Sequence, residues 1–90
     1  MHLDPTSLRL FISAIEERTI AGAAEREHIA AAAVSKRISE LEAALDTPLL
    51  VRTNKGIVPT NAGLALSGMA RRALRELDEI AASIQKNLAQ

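Results

Sequence analysis

The sequence predicts a mainly α-helical chain of three helices, a short β-hairpin and one long final helix. Apolar residues recur at intervals of three and four in three separate stretches, which is the helical period. The period changes after Pro48, where two short β-type segments flank a turn. From Thr60 onward a single stretch of roughly 28 residues keeps helical spacing, and such a helix would be about 42 Å long.

The composition is that of one small domain without disulfide cross-links. Ninety residues, of which 48% are hydrophobic, can bury a modest core. There is no cysteine, which excludes disulfides and fits a reducing cytoplasm. No apolar run approaches the roughly 20 residues of a membrane span, and the N-terminus lacks the features of a signal peptide. The eleven basic and eleven acidic residues cancel, so any basic face that binds nucleic acid must be small.

The first two helices have local start signals. Asp4 is a typical N-cap, with a proline after it at the first helical position. Phe11, the sole aromatic residue, lies on the apolar face of this helix and is expected in the core. Thr19 caps a second helix of about two turns, in which Ala23 and Ala24 would let another helix pack close.

The third helix is predicted over about Ala31–Leu45 and begins in a run of alanines. Its apolar spacing continues to Leu45, and Pro48 cannot extend it. Alanine loses no side-chain entropy in a helix and lets another surface approach the backbone closely. That surface is either a neighbouring helix or the groove of a nucleic acid. The run leads directly into a hydroxyl and two positive charges, at Ser35, Lys36 and Arg37.

Residues 49–59 predict a projecting hairpin, with strands "LLVR" and "IVP" around an Asn-Lys-Gly tip. Thr60 then caps the last helix. Its apolar positions alternate in steps of four and three, as in a helix that pairs with another helix. They are Leu66, Ala70, Ala73, Leu77, Ile80 and Ile84. A helix this long carries a stripe that so small a body cannot cover, which predicts a homodimer.

The order of these elements is that of a winged helix-turn-helix. Residues 1–59 would form the DNA-binding domain, and residues 60–90 a long linker or dimerisation helix. In this fold the second helix of the pair enters the DNA major groove, and the wing touches the backbone or the minor groove. An ordinary small helical bundle is the alternative, because helix pairs joined by short turns are common.

From about Leu8 to Leu77 the chain resembles the N-terminal DNA-binding domain of LysR-type transcriptional regulators. The matching positions follow the family's order without a gap. They are Ala23-Ala24, Val34-Ser35, Ile38, Leu41-Glu42, Leu49, Arg52 and Thr60-x-Ala62-Gly63. The resemblance implies a bacterial, cytoplasmic and nucleoid-associated transcription factor that dimerises through its last helix and binds an interrupted inverted repeat in double-stranded DNA.

In complete members of that family a larger effector-binding domain follows the last helix, and tetramers are then possible. The chain stops at Gln90. The resemblance therefore implies either an excised DNA-binding domain or a protein that lacks its sensor.

By this resemblance, DNA contacts are expected from the start of the third helix and from the wing. The expected residues are Ala31, Ala32, Ser35, Lys36, Arg37, Arg52 and Lys55. The chain departs from the family at Ala30–Ala33, where Ser-Gln-Pro-Ala is usual, so the usual cap and base-reading amide are absent. Alanine can touch thymine methyl groups but offers no bidentate hydrogen bond to a base. Weak discrimination among DNA sequences is therefore expected.

Two further departures concern the second helix. Ala21 and Gly22 stand where a hydroxyl and a basic side chain are frequent, which weakens contact with the DNA backbone. Glu27 stands where a buried leucine is common, which puts the packing around it in doubt.

Other interpretations of the charged residues stay open at this point. Lys36 and Arg37 could form the solvated face of an amphipathic helix, and Arg52 could pair with Glu40 or Glu42. The rival function is a winged-helix dimerisation or protein-interaction module with weak DNA affinity. Zero net charge and the alanine run both favour that rival.

Catalysis and metal binding find no support in the sequence. It contains no nucleophile beside a base, no glycine-rich phosphate loop and no plausible pair of carboxylates, so neither an enzyme nor a cofactor is expected. His28 has no second ligand at metal-binding spacing and is expected to cap or pack at the turn. With one aromatic residue, base stacking of the kind that single-strand binders use is not expected either.

Overall fold

A computed structural model describes residues 3–88 of the chain. Its elements follow the predicted order: α1 Pro5–Glu17, α2 Ile20–Glu27, α3 Ala31–Leu45, β1 Leu50–Thr53, β2 Gly56–Pro59 and α4 Asn61–Leu88. The two strands pair antiparallel and form a wing after α3. The predicted winged helix-turn-helix with a long final helix is confirmed.

Three helices begin at side chains that bond to free backbone amides, as the sequence predicts. The Asp4 carboxylate accepts from the Thr6 N–H at 3.2 Å, and the Thr19 hydroxyl accepts from the Gly22 N–H at 2.9 Å. The Thr60 hydroxyl accepts from the Gly63 N–H at 3.0 Å. Each bond satisfies one of the amides that a helix start leaves without a partner. The start of α3 differs, because its N-cap Ala30 has no side chain that could accept such a bond.

The first three helices end at residues in the left-handed backbone conformation. These residues are Arg18, His28 and Asp46, with φ of 63°, 59° and 51°. Each reverses the chain within a few residues and sends it into the next element. The amide of His28 donates back to the carbonyl of Glu25 at 3.4 Å, so this residue caps the turn as expected.

The core lies where α1 meets the other helices. Phe11 is fully buried at its centre, as predicted, and Val34 of α3 and Leu49 before the wing are also fully enclosed. Ala23 and Ala24 are buried and let α2 pack closely against α1. Burying side chains of this size supplies the main favourable free energy of such a fold, roughly 1.5–3 kcal/mol for each large apolar side chain.

The wing is displaced by one residue from the predicted strands. Leu49 was expected in the first strand, but its side chain fills the core and its carbonyl accepts from the Thr60 amide at 3.0 Å. The strands therefore pair from Leu50 opposite Pro59 to Thr53 opposite Gly56. Gly56 has φ of 132°, and a Cβ there would lie 2.3 Å from the Arg18 carbonyl oxygen. Glycine is required at this position because the wing passes against the α1–α2 turn.

The long helix α4 plays two roles along its length. Its first half packs on the body through Leu66, Ala70 and Leu74, so the packed unit extends beyond residue 59. Its second half projects, which gives the chain extents of 53 × 26 × 18 Å. Ala70, one of the predicted dimerisation residues, is 2% exposed and packs in the protomer's own core. Leu66 is half-buried against the same core, because α1 already covers that part of the stripe.

Candidate nucleic-acid interface

The start of α3 faces solvent. Ala30–Ala33 are all exposed, whereas Val34, Ile38 and Leu41 point into the core. Since these alanines do not pack against a neighbouring helix, the exposed turn is free to meet another molecule. Ala30 is the N-cap and makes no side-chain capping bond. The loss of the usual cap, inferred from the sequence, is therefore visible in the structure.

Lys36 extends this exposed face. It lies four positions after Ala32, so both side chains are on the same side of α3. Both are exposed. The outward surface of the helix start is thus a patch of methyl groups with one positive charge on its border, and this shape and charge suit a DNA groove.

Ser35 and Arg52 meet between the helix and the wing. The Ser35 hydroxyl accepts a hydrogen bond from Nη2 of Arg52 at 3.1 Å, although the residues are 17 apart in sequence. Arg52 forms no ion pair with Glu40 or Glu42 within residues 3–88, contrary to the alternative raised by the sequence. Instead, the Glu42 carboxylate accepts from the amides of Leu49 and Leu50 at 2.7 and 3.3 Å and fixes the base of the wing.

Arg37 is directed away from the wing. Its Nη1 lies 2.6 Å from the Asp4 carboxylate and 3.3 Å from the Ser7 hydroxyl. The pKa of Asp4 is lowered, chiefly by the hydrogen bond from the Thr6 amide and also by this arginine. The carboxylate already neutralises much of the charge of Arg37. The ion pair also connects α3 to the start of α1. Of the expected contact residues, Arg37 has the weakest structural support.

Lys55 occupies the tip of the wing with its side chain exposed. Its amide donates to the Thr53 hydroxyl at 3.2 Å, which shapes the turn. Within the expected set, the structure therefore brings Ser35 and Arg52 into direct contact, places Ala32 and Lys36 on one face, and leaves Lys55 alone at the tip.

The projecting half of α4 presents an apolar stripe to solvent. Leu77, Ile80 and Ile84 are 44%, 60% and 54% exposed, and Ala73 is exposed between them and the body. Met69, which is not among the predicted dimerisation residues, is 59% exposed and lies four positions before Ala73. Its i to i+4 spacing could have identified it. The exposed part of the stripe thus includes Met69, whereas Leu66 is partly buried.

Glu27 has a hydrogen-bond partner that could not be predicted from the sequence. Its carboxylate accepts from the hydroxyl of Ser13 at 2.5 Å, and Ser13 is 1% exposed. The serine on α1 and the glutamate on α2 therefore form a hydrogen-bonded polar pair. The glutamate occupies the position where the resembled family commonly has a buried leucine. The doubt about local packing is resolved by this hydrogen bond, because both polar groups are satisfied.

Glu16 connects three helices through ion pairs. Its carboxylate lies 2.6 Å from Nη1 of Arg26 and 3.1 Å from Nη2 of Arg71. Arg71 thus pairs with α1 rather than with an acidic residue of its own helix. The hydrogen bond from Arg26, and after it the one from Arg71, lowers the pKa of Glu16.

Replacing Glu16 with glutamine is expected to lower the free energy of unfolding at pH 7 by at most about 1 kcal/mol, because the paired side chains are exposed and screened by solvent. The folded state lowers this pKa, so the stabilisation is present above the ordinary value of 4.5 and is lost as the pH falls through the folded value. Urea unfolding should show a smaller difference between Glu16→Gln and the wild type at pH 3 than at pH 7. Glu25→Gln, at an exposed glutamate, is the control, and an equal Glu16 effect at both pH values would contradict the ion-pair account.

Within residues 3–88, no group of three or more His, Cys, Asp or Glu side chains could hold a metal ion. Across the same residues, none of the helices combines the length and apolar content that a membrane span requires. A charged groove of about 440 Å³ runs between α1, α2 and α4, and the Glu16 cluster lines part of it.

The sequence and the fold of the chain are similar to those of one protein family. The model for bacterial regulatory helix-turn-helix proteins of the lysR family matches residues 5–64. The nitrogen assimilation regulatory protein nac of Klebsiella aerogenes is 38% identical over 72 residues, which is 80% of this chain. The chain spans only 24% of the length of that relative.

Solved structures agree with the sequence relatives. A crystal structure of the CbnR DNA-binding domain in complex with DNA has a TM-score of 0.87 at 33% identity, and the match covers 98% of this chain and 100% of that one. The BenM DNA-binding domain in complex with benA site 1 DNA has a TM-score of 0.89 at 26% identity, over 93% and 98% of the two chains.

Proposed function

Because the chain belongs to the lysR family of bacterial regulatory helix-turn-helix proteins, we propose that it is the DNA-binding part of a transcription regulator. Residues 1–59 would carry the DNA contacts, and residues 60–90 would link two copies. Two chains would bind an interrupted inverted repeat, one half-site each. The DNA complexes of the similar CbnR and BenM domains support this proposal.

The observation that carries the proposal is the exposed start of α3 beside the Ser35–Arg52 contact. The first residues of a recognition helix contact base edges in the major groove. Here α3 would enter that groove with Ala31, Ala32 and Lys36, and the wing would place Arg52 and Lys55 on the backbone or in the minor groove.

The alanine run sets the expected specificity. Ala31 and Ala32 would fit the groove and touch thymine methyl groups, but they supply no hydrogen bond to a base. Most of the affinity would then come from cations on phosphates, which position the protein without reading sequence. Binding to many sequences with similar affinity is the expected behaviour.

The exposed stripe from Met69 to Ile84 would pair with that of a second chain, because an apolar surface of this kind gains free energy when it leaves water. A tetramer becomes possible if an effector domain follows in the native protein. The regulator would act in the bacterial cytoplasm at the nucleoid, and the chain would have no catalytic role and need no cofactor or metal.

Fluorescence anisotropy with a random-sequence duplex at several salt concentrations tests the proposal. If Lys36, Arg52 and Lys55 of both protomers neutralise at most six phosphates, the slope of log affinity against log salt should be no steeper than about −5. Counting Arg37 as well would allow about −7. No binding at low ionic strength would reject DNA binding and favour the protein-interaction alternative.

Arg52→Ala is expected to weaken binding to matched and mismatched duplexes by similar factors, about tenfold per protomer. A guanidinium on phosphate or in the minor groove carries little direct base information. The salt slope of the dimer should become shallower by roughly 2, because two phosphate contacts are lost. A loss confined to one selected duplex would instead mean that Arg52 reads a base.

A further inference from the structure

We propose that Ser35 is a positioning residue that holds the Arg52 guanidinium between α3 and the wing before DNA binds. The inference rests on the proposed function, since Arg52 is the wing cation that would meet DNA. The supporting contact is the 3.1 Å hydrogen bond from Nη2 of Arg52 to the Ser35 hydroxyl oxygen. It is the direct side-chain link between the exposed helix start and the wing.

The backbone of Arg52 is held in place by contacts of the wing with the body. Arg52 pairs with Ile57 across the two strands, and the Ile57 amide donates to the Arg18 carbonyl at 3.0 Å. On the other strand, the Leu50 amide donates to the Glu42 carboxylate at 3.3 Å, beside the bond from the Leu49 amide at 2.7 Å. The wing is therefore attached to the body on both of its strands, at the α1–α2 turn and at α3.

The serine end of the bond is fixed as well. Ser35 follows Val34, whose side chain is fully buried and sets the rotation of α3. Ser35 itself is only partly exposed. The Arg52 side chain is thus anchored at its Cα by the wing and at its guanidinium by the helix, although most of its length is in solvent.

If the guanidinium is already held in place, less side-chain entropy is lost when DNA binds. An arginine side chain loses rotamer freedom when it is immobilised at an interface, and a side chain that is ordered beforehand loses less. The guanidinium has five N–H groups. One of them is used on Ser35, so the others remain available for phosphate or minor-groove oxygens. Ser35, which the family resemblance places among the DNA contacts, would therefore raise affinity by acting through Arg52.

The first measurement uses the free protein. The ¹⁵N–¹H heteronuclear NOE of the Arg52 Nε group reports how strongly this side chain is ordered. Ser35→Ala should lower it towards the value of a free arginine, and Ser35→Thr, which keeps the hydroxyl, should restore it. Ser39→Ala is the matched control, because Ser39 lies one turn along α3, is exposed, and has no hydrogen-bond partner for its side chain within residues 3–88.

The second measurement uses a duplex selected by the protein from a random pool. Ser35→Ala should weaken binding about threefold per protomer, leave the salt slope unchanged, and have no further effect when Arg52 is already alanine. Ser35→Thr should bind within a factor of about two of the wild type. This non-additivity separates positioning from an independent DNA contact.

Two results would overturn the inference. An unchanged Arg52 NOE in Ser35→Ala would show that the hydroxyl does not order the side chain. An equal affinity loss in the presence and absence of Arg52 would show that Ser35 contacts DNA directly. If no duplex binds at all, the proposed function fails, and the NOE of the free protein still decides whether Ser35 positions Arg52.

Discussion

Replacing Leu77 and Ile84 together with glutamate is expected to convert the proposed dimer into a monomer. Both side chains lie on the projecting half of α4, where they are 44% and 54% exposed and no other element within residues 3–88 covers them. Two carboxylates in each helix would lose hydration on pairing without gaining partners, a cost of several kcal/mol. Sedimentation at tens of micromolar should show the monomer mass.

DNA binding should fall with the loss of pairing. Two linked half-sites gain about 10²–10⁴ in apparent affinity over one, so the monomeric variant should bind a selected inverted repeat at least about 100-fold more weakly. Its affinity for a single half-site should stay close to that of the wild type. Such a pattern would separate the role of α4 from that of the groove-facing residues.

Leu64→Glu is the matched control. Leu64 is 55% exposed on the same helix, but it lies two positions from Leu66 and so on a different side of α4. This variant should remain dimeric. Ala70→Glu, by contrast, should unfold the protomer because Ala70 is buried in its core. A monomeric wild type at tens of micromolar would contradict the proposed interface.

The largest gain is expected from restoring polar groups at the start of α3, with Ala30→Ser and Ala31→Gln in one variant. Ala30 occupies the N-cap in extended conformation without a side-chain bond. A serine there can accept from a free amide of the first turn and should add about 1 kcal/mol of stability. Ala31 is exposed, so a glutamine side chain has room to reach a base edge, worth roughly 1–3 kcal/mol of discrimination.

The measured quantity is the ratio of specific to non-specific affinity at physiological salt. On a duplex selected for the double variant, this ratio should rise about tenfold or more over that of the wild type on its own selected duplex. Ala43→Gln, at an exposed position near the far end of α3, should leave the ratio unchanged.

A different result in the wild type would change the role of the alanines. If the unaltered chain already prefers one operator many thousandfold, then Ser35, the wing or the shape of the DNA reads the sequence. Ala30–Ala33 would then be a surface that fits the groove closely, and the account of them as lost readout would be wrong.

Local sequence signals were sufficient to predict the helices, the strands and their order. Asp4, Thr19 and Thr60 could be assigned as caps because a capping side chain bonds to amides two or three residues away. The apolar period gave α1, α3 and α4, and the hairpin followed from the change of period after Pro48. These signals are local, so no knowledge of the rest of the chain was needed. Even the missing cap at Ala30 was visible in the sequence.

The pairing of side chains depends on how the helices and the wing pack together. Arg37 and Lys36 are neighbours in sequence, yet Arg37 is held by Asp4, which is 33 positions away, while Lys36 faces outward. From the sequence, Ser35, Glu40 and Glu42 were equally possible partners of Arg52, because all three candidates lie on the preceding helix. Which of them meets the wing depends on the packing of α3 against α1 and on the amides that bind Glu42.

The same distinction explains the stripe on α4. Ala70 and Ile84 share the spacing of an apolar face, and the helical period cannot distinguish a position covered by the protomer from one left for a partner. Ala70 lies against α1 and is buried, whereas Ile84 is beyond the reach of the body and 54% exposed. Periodicity specifies the direction of a side chain around the helix axis, but only the assembled body determines where along that axis its own core ends.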